Sequence, residues 1–146
     1  MESDSEKALH QGIQLAETGD FDTALIYLNR AATLNDSAIA ASYRAYCLAR
    51  SQGRLKRAAQ DCQNAMARDR SNPVHYLILG RILLLAGNRA KAIKTFRHGL
   101  KAAPNPLIIE ELKQLGLRKP AVISSLERDH VLNRLLGRIL AAIKLR

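Results

Sequence analysis

Apolar residues recur along this chain at three- and four-residue intervals, the period that lays one face of an α-helix against a core. The first such stretch carries Ala8, Leu9, Gly12, Ile13, Leu15 and Ala16. Short polar breaks interrupt the pattern at Gly19-Asp20, Asn35-Asp36-Ser37, Gln52-Gly53-Arg54 and Ser71-Asn72, and it resumes after each. Helices are therefore expected over about residues 4–18, 21–34, 37–51, 55–69, 73–86 and 89–102, with Pro104 ending the last. Ser3-Asp4-Ser5-Glu6 has the form of a capping box for the first of them. Pro73 suits a first helical turn, where its missing N–H costs nothing. A shorter helix over about 106–115 follows, closed by Gly116. Residues 117–125 read as an extended connector, because Pro120 disfavours helix before it. Asp129 can cap a final helix over about 130–145, whose Leu132, Leu135, Leu136, Ile139, Leu140 and Ile143 form one stripe.

The breaks are spaced regularly. Gly19, Gly53 and Gly87 lie 34 residues apart, and the same step joins Ala24, Ala58 and Ala92. It also joins Ala31, Ala65 and Gly99, and Leu28, Cys62 and Phe96. The third unit carries the fullest set, with Tyr76, Leu79-Gly80, Leu83, Ala92, Phe96, Gly99 and Pro104. The first gives Ala8, Gln11-Gly12, Leu15, Ala24, Leu28 and Ala31, and the second Ser42, Ala45-Tyr46, Ala49, Ala58, Cys62 and Ala65. With this period and these residue types, residues 5–104 resemble the tetratricopeptide repeat. Tyr46, where the other units have Gly, is the largest departure.

The resemblance implies an all-α, right-handed α-solenoid of three helical hairpins, about residues 5–38, 39–72 and 73–104, plus C-terminal capping helices. Residues 105–146 then hold a capping helix, the connector and the amphipathic helix. Small residues should let paired helices approach, with Gly12 opposite Ala24 and Gly80 opposite Ala92. Leu15, Leu28, Leu83 and Phe96 should fill the space between hairpins. No single hairpin buries its apolar face; stacking does so.

The resemblance also implies a non-enzymatic scaffold for other proteins, with the first helices of successive hairpins lining a concave groove. The matching positions are Leu9, Ile13 and Ala16, then Tyr43, Cys47 and Arg50, then Leu77, Arg81 and Leu84. Each trio has i, i+4, i+7 spacing and shares one helix face. The expected ligand is an amphipathic helix, or an extended apolar segment carrying a carboxylate for Arg50 or Arg81. One subfamily clamps the acidic tails of heat-shock chaperones through Lys, Asn and Arg. Here the matching places hold Leu9, Ile13, Arg44, Val74 and Ile78, so that role is not expected.

Charge narrows the partner's chemistry. The net charge is +10. Residues 1–36 hold two basic and seven acidic residues, whereas residues 37–146 hold 21 basic and six acidic. Arg54, Lys56 and Arg57 cluster at one helix start, and Arg89, Lys91, Lys94, Arg97 and Lys101 run along another helix. A solvated outer face explains them first and an acidic protein partner second. Nucleic acid ranks third, since no aromatics interleave for base stacking.

Candidate chemistry is sparse. His10, His75, His98 and His130 are scattered, with no metal-type pair at i, i+4. There is no Gly-rich phosphate loop, nucleophile elbow or HExxH. Asp20 and Asp22 are explained by capping, and Glu110-Glu111 by a solvated surface. No catalytic residue, metal or cofactor is expected. Cys47 and Cys62 lack metal spacing and read as small buried hydrophobes in a reducing compartment. The acidic N-terminal segment is unlike a signal peptide, and the apolar run from Tyr76 to Gly87, broken by Arg81, is too short to span a bilayer. A soluble, cytoplasmic protein is expected. Residues 118–137 resemble the tails of bacterial repeat proteins of this kind. The stripe from Leu132 to Ile143 needs a cover. The first expectation is packing in cis on the end of the stack. The others are occupation of the chain's own groove, self-association, or an anionic membrane.

Overall fold

The computed structural model describes residues 2–116. The connector, the final helix and its stripe, and with them the choice of cover, lie outside the described residues. Within them are α1 (Asp4–Thr18), α2 (Phe21–Leu34), α3 (Ala38–Gln52), α4 (Leu55–Arg68), α5 (Pro73–Leu85), α6 (Arg89–Ala102) and α7 (Pro106–Gln114). Consecutive helices pair as the hairpins α1/α2, α3/α4 and α5/α6. The hairpins stack in chain order, α2 on α3 and α4 on α5, with α1 beside α3 and α3 beside α5. The compact unit runs through Leu112; the last turn of α7 and Gly116 belong to a second unit.

Local chemistry sets the helix ends. The Ser3 hydroxyl accepts from the Glu6 amide at 3.2 Å and the Glu6 carboxylate accepts from the Ser3 amide at 2.7 Å, the reciprocal capping box. The Asp20, Ser37, Asn72 and Asn88 side chains cap α2, α3, α5 and α6. Arg54 precedes α4 without a side-chain cap. The three glycines spaced 34 apart turn each hairpin in the left-handed region, at φ +94°, +67° and +76°. A side chain is strained there, so the period seen in the sequence is a period of backbone geometry.

The core is built of small and aliphatic residues. Ala24, Leu28, Ala40, Ala58, Cys62, Ile78, Ile82, Ala92 and Phe96 are fully or almost fully buried. The helical glycines face different partners from those expected. A Cβ on Gly12 would lie 2.7 Å from Leu28 Cγ, and one on Gly80 would lie 2.2 Å from Phe96 Cε1. Leu28 and Phe96, rather than Ala24 and Ala92, therefore fill the space each glycine leaves. The reason is directional: the Cβ vector of the first helix meets the large side chain one turn beyond the alanine. Each of those two large residues packs against the glycine of its own hairpin, and Leu28 also belongs to the core cluster shared with the second and third hairpins. In the second hairpin the pair is reversed. Tyr46 replaces the glycine, and the position that holds Leu28 and Phe96 elsewhere is the small Cys62.

Candidate functional site

The expected groove residues divide into three groups. Tyr43, Cys47 and Leu77 are core residues, 2%, 0% and 0% exposed, and Ala16 is buried with them. Leu9 and Ile13 are half-buried, packed against that core, and Leu84 is half-buried. Arg50 is exposed. Of the expected groove residues, Leu9, Ile13, Arg50 and Leu84 therefore keep surface, whereas Ala16, Tyr43, Cys47 and Leu77 do not.

Arg81 holds this face together. Its side chain is only 12% exposed. Nη1 donates to Glu17 Oε1 at 2.7 Å and Nη2 donates to Glu17 Oε2 at 3.0 Å, a bidentate pair reaching from α5 to α1. Nε donates to Glu111 Oε1 on α7 at 2.6 Å. Burial alone would lower the guanidinium's pKa; the two carboxylates more than offset this and hold it charged. The Tyr43 hydroxyl donates to Glu17 Oε1 at 2.9 Å. Burial, reinforced by Glu17, pushes the Tyr43 phenol far above its ordinary value, so it stays a donor. Arg81 is thus met by two carboxylates of its own chain, and of the two arginines expected to face a groove Arg50 is the exposed one.

An aromatic seam runs beside the ion pairs. The Arg81 guanidinium lies 5.7 Å from the Tyr46 ring centre, and Arg50 lies 4.7 Å over Phe21. Phe21 and Tyr46 meet edge to face, 5.6 Å apart at 87°. The departure of Tyr46 from the glycine pattern therefore has a use: its ring links Arg81 to Arg50 through Phe21. Such cation–aromatic contacts contribute about 0.5–2 kcal/mol each.

Two of these residues escape sequence reasoning. Adjacency to Glu110 places Glu111 on a solvated surface, and the structure corrects this: its side chain is 18% exposed and ion-paired. Glu17 carries no motif. The available signal is Arg81 itself. Its helical neighbours at three and four residues are Leu77, Ile78, Leu84 and Leu85. A cation in so apolar a helix needs carboxylates from elsewhere in the fold.

A second polar cluster is sealed inside. Ser42 Oγ and His75 Nδ1 share a 2.6 Å hydrogen bond between α3 and α5, and both residues are 0% exposed. The Cys62 thiol donates weakly to Ser42 Oγ at 3.8 Å and to the His75 carbonyl at 3.6 Å. His75 Nε2 is 3.5 Å from Asp69 Oδ2. The order serine, histidine, aspartate is that of a nucleophilic triad, but Ser42 presents no surface to a substrate. The cluster joins the second hairpin to the third. Burial lowers the His75 pKa against the opposing pull of Asp69. Burial also pushes both thiols up to about 12, so they are protonated and inert. Among the described residues no group of three His, Cys, Asp or Glu is placed to hold a metal, and no helix is long and apolar enough to cross a membrane.

On α6, Lys91, Lys94, Arg97 and Lys101 are exposed. No carboxylate occurs anywhere in residues 70–109. By contrast, α4 pairs Arg57 with Asp61 at 3.0 Å.

Comparison with known proteins agrees with this architecture. Residues 49–114 match the family described as tetratricopeptide repeat. The fold is similar to the first TPR domain of human RPAP3, at a TM-score of 0.59 and 20% identity over 77% of this chain and 89% of that one. It is similar to the Sgt2 TPR domain from Aspergillus fumigatus, at 0.59 and 18% identity over 91% and 95%. It is also similar to the Yersinia enterocolitica type III secretion translocator chaperone SycD, at 0.55 and 17% identity over 99% and 95%. At these identities the likeness is one of fold. No curated protein matches the sequence.

Proposed function

We propose, from the premise that this chain is a tetratricopeptide-repeat protein and an all-α repeat solenoid, that it is a non-enzymatic scaffold gripping one segment of a partner protein along its first helices. The observation that supports this reading is that the three first helices lie side by side, α1 beside α3 and α3 beside α5, and that each keeps at least one expected face residue partly or fully exposed. Leu9 and Ile13 of α1, Arg50 of α3 and Leu84 of α5 offer surface on three adjacent helices, stiffened by the Arg81–Glu17 pair. Tyr43, Cys47 and Leu77 are buried in the core, so the surface left for a partner is that of Leu9, Ile13 and Leu84 with the Arg50 cation. An amphipathic helix, or an extended apolar segment bearing a carboxylate for Arg50, has the complementary chemistry. The exposed cations of α6 favour partners with an acidic surface and raise encounter rates. Neither cofactor nor catalysis is part of this role.

Affinity capture with paired variants tests it. Arg50→Glu with Leu84→Asp should abolish recovery of the partner that the unaltered chain retains. Lys56→Glu with Lys94→Glu, on second helices, should leave recovery in place apart from a stronger salt dependence. Retention by the first pair in a protein with unchanged melting would remove the groove from the account.

A further inference from the structure

We propose that the outward face of α6 is a second binding surface, separate from the first-helix face, and that it takes an acidic protein segment whose carboxylates recur at helical spacing. The two faces belong to different helices, so this one does not depend on the groove.

Four cations define the surface. Lys91, Lys94, Arg97 and Lys101 are all exposed. At 3.6 residues per turn they fall within about one third of the helix circumference. That third is centred opposite Ala92, Phe96 and Gly99, the three residues that α6 buries. None of the four cations takes part in an ion pair among the described residues. No carboxylate lies between Asp69 and Glu110 in the sequence to neutralise them.

The other hairpins show that the fold does not require charge at these positions. One repeat earlier, α4 carries Arg57, Gln60, Gln63 and Ala67 there, and two repeats earlier α2 carries Thr23, Ile26, Asn29 and Thr33. Arg57 is the single cation among them, and it is paired with Asp61 at 3.0 Å. Neutral residues therefore serve the same outward positions in two hairpins, and the unneutralised row belongs to the third alone.

The spacing of the row specifies its ligand. The cations follow one another at steps of three, three and four residues, over about 15 Å of helix. A second helix with Asp or Glu at the same steps repeats its carboxylates at the same axial distance, so the two rows meet one to one. Nucleic acid fits less well. About 15 Å of DNA duplex presents roughly nine phosphate charges, more than twice what the row neutralises. The matching face of α4, with Gln60, Gln63 and Ala67, adds no cation beside it. The one aromatic residue of α6, Phe96, is fully buried and offers no base a stacking partner. Exposed ion pairs are individually weak, so the contact is of low affinity and sensitive to salt.

The test is an NMR titration of the full, isotope-labelled chain with a helical peptide of alanine and glutamine that carries four glutamates at i, i+3, i+6 and i+10. At low salt the amide shifts should change chiefly in residues 89–102. They should revert near 0.5 M salt, where the screening length falls to about 4 Å. Lys94→Glu with Arg97→Glu should weaken binding at least about tenfold. Arg54→Glu with Lys56→Glu removes the same net charge from exposed positions at the start of α4 and should change it less than about threefold. A peptide with its four glutamates distributed round the helix should bind at least about threefold more weakly than the matched one. Shift changes centred on another surface, equal losses in the two charge variants, or equal binding of the two peptides would each overturn the proposal. So would a short DNA duplex that perturbs residues 89–102 at lower concentration than the matched peptide, because it assigns the row to nucleic acid. Arg50→Glu with Leu84→Asp should leave this titration unchanged, so failure of the groove and failure of the α6 surface are read separately.

Discussion

Gly80→Ala gives a direct measure of how the third hairpin is built. In a helix interior this exchange ordinarily stabilises by about 1 kcal/mol, because alanine loses less backbone freedom. Here the new Cβ would lie 2.2, 2.6 and 2.7 Å from Phe96 Cε1, Cδ1 and Cζ. The ring is fully buried, so it cannot swing aside into solvent. Overpacking by one methyl in such a site costs about 1–3 kcal/mol, and distances this short put Gly80 at or above the upper end. The net expectation is a destabilisation of about 2 kcal/mol, or roughly 5–10 °C in Tm. In the second hairpin the position of Gly80 holds Tyr46 and the position of Phe96 holds the much smaller Cys62. Phe96→Leu should therefore cost stability alone but less in the Gly80→Ala background, a coupling of about 1–2 kcal/mol in a double-mutant cycle. Urea titrations of the four proteins supply the values. Additive effects, or a Gly80→Ala protein more stable than the parent, would refute the packing argument.

Ala92→Leu, at the fully buried position one turn before Phe96, should cost about 1–3 kcal/mol in the same titration. Arg81→Met leaves Glu17 and Glu111 half-buried without their cation and should cost about 2–3 kcal/mol, part of which Glu17→Gln should restore in the double variant. His75 is held neutral by burial, beside Ser42, Cys62, Asp69 and Arg68, with its pKa below the ordinary 6.5. The unfolded chain therefore binds this proton first as pH falls, and stability should decline progressively below about pH 6.5. In His75→Gln the decline across pH 7.5 to 5 should be shallower; an unchanged slope would assign it to other groups. Both thiols, buried and raised to about 12, should react with Ellman's reagent only as fast as the chain opens, and promptly in denaturant.

Much of the fold is legible because its period is written in residues that backbone geometry demands. Gly19, Gly53 and Gly87 mark left-handed turns, and α1, α2 and α6 begin and end where their caps and breaks place them. The other helix ends differ by a single residue, where a cap and a first helical residue are hard to tell apart. The contacts across the hairpins are less legible. That Gly12 and Gly80 answer to Leu28 and Phe96 depends on the direction of a Cβ vector. That Tyr46 in the glycine position goes with Cys62 in the position of Leu28 and Phe96 becomes visible only when the three units are compared position by position. Among the expected groove residues, periodicity groups positions by helix face but says nothing of depth, and so joins Tyr43, Cys47 and Leu77 to residues that reach solvent. The pairing of Arg81 with Glu17 and Glu111 spans 64 and 30 residues, beyond any local spacing rule. Ser42 and His75 meet across 33 residues for the same reason.

The central claim is that partners engage the first-helix face. Site-specific photo-cross-linking tests it even while the partner is unidentified. A benzophenone side chain would be placed singly at Arg50 or Leu84 on that face, and at Ile26 or Lys94 on second helices, in protein expressed in its native host and irradiated there. The account predicts one discrete cross-linked species shared by the Arg50 and Leu84 positions and missing from the Ile26 and Lys94 positions. The same species arising only from Ile26 or Lys94 would contradict it.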